Sequence, residues 1–168
     1  MDLFEIFQGN SDKARLITTI IGVIIALSVV GVNQFFNSRR SRKDAYISKI
    51  EQLYETVLRS QRLLHEYHNT IVFEYGIEEN TGQKFDKLHA EFFESIEQLR
   101  VITDLYFHGM DLNISKMRDC FLALTDSLTG CESINEYLSD YSNLKEEISS
   151  VYSDTRKKLR GLMNEYMH

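Results

Sequence analysis

The segment LLHEYHNT, residues 63–70, sets His65 and His68 three positions apart with Glu66 between them. Zinc hydrolases use H-E-x-x-H because a four-residue step stacks both imidazoles on one helix face and leaves the glutamate as base. Here the step is one residue short, and His89, His108 and His168 fall on other segments with no spacing that ties them in. No metal site is expected; His68 reads as a helix-seam residue and His65 as a surface one. Nucleophilic chemistry is equally unsupported. There is no G-x-S-x-G, no Gly-rich phosphate loop, and neither Cys120 nor Cys131 has a histidine partner nearby in sequence. The acid pairs at 78–79 and 146–147 read as solvated faces. The expectation is a non-enzyme with no catalytic residue and no cofactor.

Two basic features point instead to anions. Arg59 and Arg62 stand one turn apart, with His65 a further turn on, and RKKLR contributes Arg156, Lys157, Lys158 and Arg160 near the end of the last helix, where cations also suit the helix dipole. Forked guanidinium groups match phosphate oxygens, so either stripe is a candidate ligand site; the alternative for each is a salt-bridged, solvated face. The background is acidic. Residues 44–168 hold thirteen basic and twenty-two acidic side chains, a balance of −9, in a whole chain of net charge −6. That balance repels bulk nucleic acid and leaves room for a local anion pocket.

The elements that carry these residues begin with a membrane candidate. From Leu16 to Val32, LITTIIGVIIALSVVGV contains no charge, and Asn33 to Phe36 extend the uncharged run to twenty-one residues. About twenty helical residues cross the ~30 Å hydrocarbon layer, so 16–36 is read as a transmembrane helix after a flank at 1–15. In that flank MDLFEIF is a candidate for the far interface through its apolar side chains. A junction at 37–43 then carries Arg39, Arg40, Arg42 and Lys43. Such residues resist translocation and are drawn to anionic headgroups, so they are expected at the membrane interface on the cytoplasmic side. The reading is therefore a single-pass inner-membrane protein with residues 44–168 in the cytoplasm, where two unpaired cysteines are at ease. Within the span, Thr18, Gly22 and Ala26 recur every four residues, a stripe that either permits close helix pairing or reflects the ordinary composition of membrane helices.

The cytoplasmic part reads as four amphipathic helices in an all-α, bundle-like domain. The first, 44–74, places Ile47, Ile50, Tyr54, Val57, Gln61, Leu64, His68 and Ile71 at steps of three and four, with no Pro or Gly to separate it from the span. GIEENTGQ, 76–83, reads as a loop. The second helix, 84–108, carries Phe85 to Tyr106 and ends at Gly109. The third starts at Asn113 as N-cap, and the fourth opens with Ser133 and Glu136 at capping-box spacing. The fourth exceeds thirty residues, more than its neighbours are expected to cover, which together with the small-residue stripe suggests a homo-oligomer.

One apolar N-terminal helix (LITTIIGVIIALSVVGV), a basic junction (SRRSRKDAY) and a small helical domain together resemble the membrane-anchored effectors of prokaryotic antiviral defence, above all those accompanying type III CRISPR systems. The resemblance lies in architecture. It implies a cytoplasmic domain that binds a cyclic oligoadenylate and, as an oligomer, perturbs the bilayer. The competing expectation is a single-pass scaffold or accessory subunit that docks a protein partner.

Overall fold

The computed structural model describes residues 10–74 and 81–167. They form four α-helices: α1 (Asn10–Glu74), α2 (Thr81–Tyr106), α3 (Ile114–Gly130) and α4 (Ile134–Met167). Among the described residues there is no strand. The expected membrane helix and first cytoplasmic helix are one element of 65 residues. The reason is local: between Val32 and Glu74 no Pro removes an amide donor and no Gly loosens the backbone. The chain divides into two units, Met1–Ala45 and Tyr46–His168.

In the first unit, α1 is long and apolar enough to cross a membrane. Every residue from Ile17 to Phe36 is exposed within the chain, Leu27 at 67 %. A core helix of a soluble protein would turn a stripe inward, and this stretch turns none, as suits a candidate membrane span. The hydroxyls are already satisfied: Thr18 Oγ1 donates to Ala14 O at 2.8 Å, Thr19 Oγ1 to Arg15 O at 2.9 Å and Ser28 Oγ to Ile24 O at 2.8 Å. That removes the penalty of an unpaired polar group in hydrocarbon. Beyond the apolar run, the Arg39 guanidinium lies 4.7 Å from the centre of the Phe35 ring. The interfacial role expected of MDLFEIF falls on residues 1–7, outside the described residues.

In the second unit, the later part of α1 packs with α2, α3 and α4 around one core. Ile50, Leu53, Val57, Leu64 and Ile71 of α1 are fully buried, as are Phe92, Leu99, Phe121, Leu124 and Tyr152. Phe92 and Phe121 stack at 4.0 Å, and Tyr67 tilts onto Phe121 at 5.0 Å. The α1 seam is wider than the heptad pattern, because Leu53, Ser60, Leu63, Tyr67 and Thr70 are buried too. A helix with neighbours on several sides needs more than a two-position stripe. Along α2 the inward position is Thr103 rather than Tyr106, which is 40 % exposed.

Three connections differ from expectation. Helix α2 starts at Thr81, so residues 81–83 of the expected loop are helical, while 76–80 lie outside the described residues. Polar Thr81–Gln83 carry no apolar periodicity, and the first such signal is Phe85. Asn113 precedes α3 as expected but does not cap it with its side chain: it adopts φ 57°, a left-handed conformation Asn tolerates, and its own N–H is held by Asp111 Oδ1 at 2.8 Å. At α4, Ser133 Oγ accepts from Glu136 N at 3.3 Å, while the Glu136 carboxylate reaches Glu132 N at 3.0 Å, one residue before the usual capping-box target.

The apolar face of α4 is largely covered within the chain. Tyr166 stacks on Tyr46 at 5.2 Å near one end, and Tyr137 lies beside His68 near the other. Leu159 is 1 % exposed, and Leu162 and Met163 pack against the core. Within the second unit, α1 runs alongside α4 from Tyr46 to His68 and supplies the length the shorter helices lack. The length of α4 is thus no argument for a second copy.

Candidate functional site

The burial pattern of α1 decides what faces outward. With Leu53, Val57 and Leu64 inward, Gln52, Glu55, Arg59 and Arg62 are turned toward solvent, and Leu58 sits on the ridge between two grooves. One groove, about 440 Å³, is lined by Gln52, Glu55, Thr56, Arg59, Arg62 and Gln98. The other, about 310 Å³, is lined by Tyr54, Ser153, Arg156, Lys157 and Arg160. Leu58 lines both. Two basic stripes almost a hundred positions apart in sequence therefore flank one face of α1. A direct bond joins the sides, from Arg156 Nη1 to Gln61 Oε1 at 2.6 Å.

The cations on this face differ in how they are engaged. Arg59 pairs with Glu94 at 3.9 Å and Lys157 with Asp154 at 3.6 Å, both between exposed groups that contribute little to stability. Arg62 Nε reaches its own helix at Leu58 O, 3.4 Å away. Arg156 binds only a neutral amide. Neither Arg62 nor Arg160 has an acidic partner among the described residues. A groove with weakly held guanidinium groups, a phenol at Tyr54 and a hydroxyl at Ser153 has the chemistry to take an oxyanion.

Two expected ligand residues stand apart. Lys158 Nζ donates to Asp111 O at 2.6 Å and approaches Asn113 Oδ1 at 3.4 Å, so it ties α4 to the α2–α3 elbow. Each turn of helix rotates side chains by about 100° per residue, which sends Lys158 away from its neighbours Lys157 and Arg160. His65 is exposed and lines neither groove. Arg39, Arg40, Arg42 and Lys43, expected at the membrane interface, are all exposed in the first unit.

A polar cluster at the other end of α4 was not legible in sequence. His68 Nδ1 lies 2.8 Å from the Tyr137 hydroxyl, and its ring stacks on Tyr141 at 3.5 Å. Burial, then His65 and Lys145, hold the His68 imidazolium below its ordinary range. Burial also pushes the Tyr137 phenol far up, so it serves as a hydroxyl donor and not as a phenolate. Each residue sat on its own apolar stripe; only packing brings the three together. Tyr152 Oη is buried, with the Ser60 hydroxyl as the polar group facing it. No three His, Cys, Asp or Glu side chains among the described residues come together to hold a metal ion. Compared with known protein families, curated proteins and solved structures, the chain matches none.

Proposed function

We propose that the chain is a membrane-anchored, non-enzymatic sensor-effector whose helical domain lies in the cytoplasm and binds an anionic signal. The observation that carries this reading is the pair of basic grooves sharing Leu58, with Arg62, Arg156 and Arg160 free of acidic partners among the described residues. The orientation follows from the basic residues after the span, which resist translocation. The anion implied by the likeness to antiviral effectors is a cyclic oligonucleotide, and Tyr54 offers it an aromatic surface beside the cations. Binding at the α1 surface acts on the same helix that carries the apolar run, and self-association through Thr18, Gly22 and Ala26 gives the oligomer that perturbs the bilayer.

The test is calorimetry on the full chain in lipid nanodiscs with inorganic pyrophosphate, ATP and a series of cyclic oligoadenylates. One of these should bind with an affinity that drops about tenfold or more in Arg156→Ala and Arg160→Ala, as expected when a charge-assisted bond is lost. Heat from none of them, or binding that the arginine variants leave unchanged, overturns the reading in favour of the scaffold.

A further inference from the structure

The end of the helical domain that follows directly on the basic junction is built from tyrosines. Tyr46 stacks on Tyr166 at 5.2 Å with planes 21° apart, meets Tyr106 edge-on at 6.4 Å, and meets Phe107 at 6.1 Å. Lys49 Nζ caps the Tyr106 ring at 5.3 Å. Next to these rings in sequence, Leu105 before Tyr106 is 72 % exposed and Met167 after Tyr166 58 %, and Val101, one turn before Leu105 on α2, is 52 % exposed. Such a combination is costly in water. Tyrosines with apolar rings and polar tips, a lysine over one of them, and partly exposed Leu and Met side chains next to them in sequence match the chemistry of the headgroup boundary, where one side is apolar and the other wet.

Chain connectivity says which surface is at hand. From Phe36, the last apolar residue before the basic junction, to Tyr46 is ten residues. As a helix that is at most about 15 Å, and the headgroup layer occupies the first ~6 Å of it. Tilt of the kind membrane helices commonly show shortens the distance further. The intervening Arg39, Arg40 and Arg42 draw the same segment toward anionic lipid.

We infer that the Tyr46, Tyr106 and Tyr166 end of the helical domain, with Leu105 and Met167, is a lipid-contacting surface that seats on the headgroup boundary of the bilayer entered by α1. This rests on the reading of α1 as a membrane span. The surface would bury the exposed Leu and Met side chains in the interface and hold the domain against the membrane independently of any ligand in the grooves.

The chain contains no tryptophan, so a single introduced indole is the only one present. Full-length Leu105→Trp, and separately Tyr106→Trp, would be reconstituted into vesicles of mixed zwitterionic and anionic phospholipid, brominated near either the headgroup end or the terminus of the acyl chain. Circular dichroism confirms that each variant is helical. Both indoles should be quenched about two-fold or more above Leu138→Trp, at the opposite end of α4, and chiefly by shallow bromines. Val23→Trp should be quenched by deep bromines. Quenching of Val23→Trp with Leu105→Trp and Tyr106→Trp no better quenched than Leu138→Trp overturns the lipid surface and leaves the span standing. A blue-shifted but unquenched indole at both positions assigns the patch to a protein contact and overturns it likewise. Failure to quench Val23→Trp overturns the span itself, and the lipid surface with it.

Discussion

His68 on α1 lies flat against Tyr141 on α4, with ring centroids 3.5 Å apart and planes 12° from parallel. The neutral imidazole is the form that suits this place, because its Nδ1 lies 2.8 Å from the Tyr137 hydroxyl, which can donate to it, while burial, His65 and Lys145 all oppose a positive charge. As pH falls through the ordinary histidine value of 6.5, the unfolded chain takes up the proton before the folded one. Stability present in full at higher pH is therefore lost as pH drops toward the lower folded value. Thermal melts between about pH 7.5 and 5.5 should show this decline, and His68→Phe, which keeps a ring but cannot titrate, should flatten it. An unchanged slope in the variant assigns the decline to other groups.

Thr155 fastens α4 to the α2–α3 elbow. Its Oγ1 lies 2.9 Å from both Leu112 O and Val151 O, sharing one proton between them, and Asn113 Nδ2 approaches at 3.5 Å. Thr155 is fully buried. Thr155→Val leaves the elbow carbonyl unpaired and should cost about 1–3 kcal/mol in urea unfolding. Thr155→Ser, which keeps the hydroxyl, should fall between the two. Equal midpoints for Val and wild type would show that the hydroxyl contributes nothing.

The Gly22 position has no neighbouring atom within 4 Å of where a Cβ would stand. Gly22→Leu should consequently leave the fold of one chain untouched. If the stripe with Thr18 and Ala26 is a helix-pairing surface, the same change should weaken self-association in vesicles by about tenfold, read by energy transfer between labelled chains. Undiminished transfer assigns the glycine to general membrane composition.

The two thiols should differ in reactivity. Cys120 is 2 % exposed, and burial with Glu147 and Asp119 pushes it up to about 11. Cys131 is half-buried near the start of α4, raised by burial and by Asp140 and Glu136. At mildly alkaline pH a maleimide should consume Cys131 first and Cys120 at least about tenfold more slowly, since Cys120 must await opening of the core. Equal rates would mean that α3 opens freely.

The all-α class, the apolar run and the basic block after it were legible because each is written in consecutive residues: an uncharged stretch, a charge cluster, and steps of three and four that only a helix turns to one side. The same locality explains Ser133, whose cap needs only the amide three residues on. It also explains the misreading of Asn113, whose preference for helix starts is local but whose side chain is drawn to Thr155, 42 positions away. What the tertiary structure alone decided is which stripe meets which. The sequence placed Arg59 and Arg62 on one helix and Arg156 to Arg160 on another; packing set them on either side of Leu58 and turned Lys158 to the elbow. It decided that α1 covers the length of α4, and that Tyr46, Tyr106 and Tyr166 converge at one end. Helical periodicity fixes the face a residue shares with its own helix, whereas the partner of that face depends on the rotation and offset of whole helices, set by the joint packing of dozens of distant side chains.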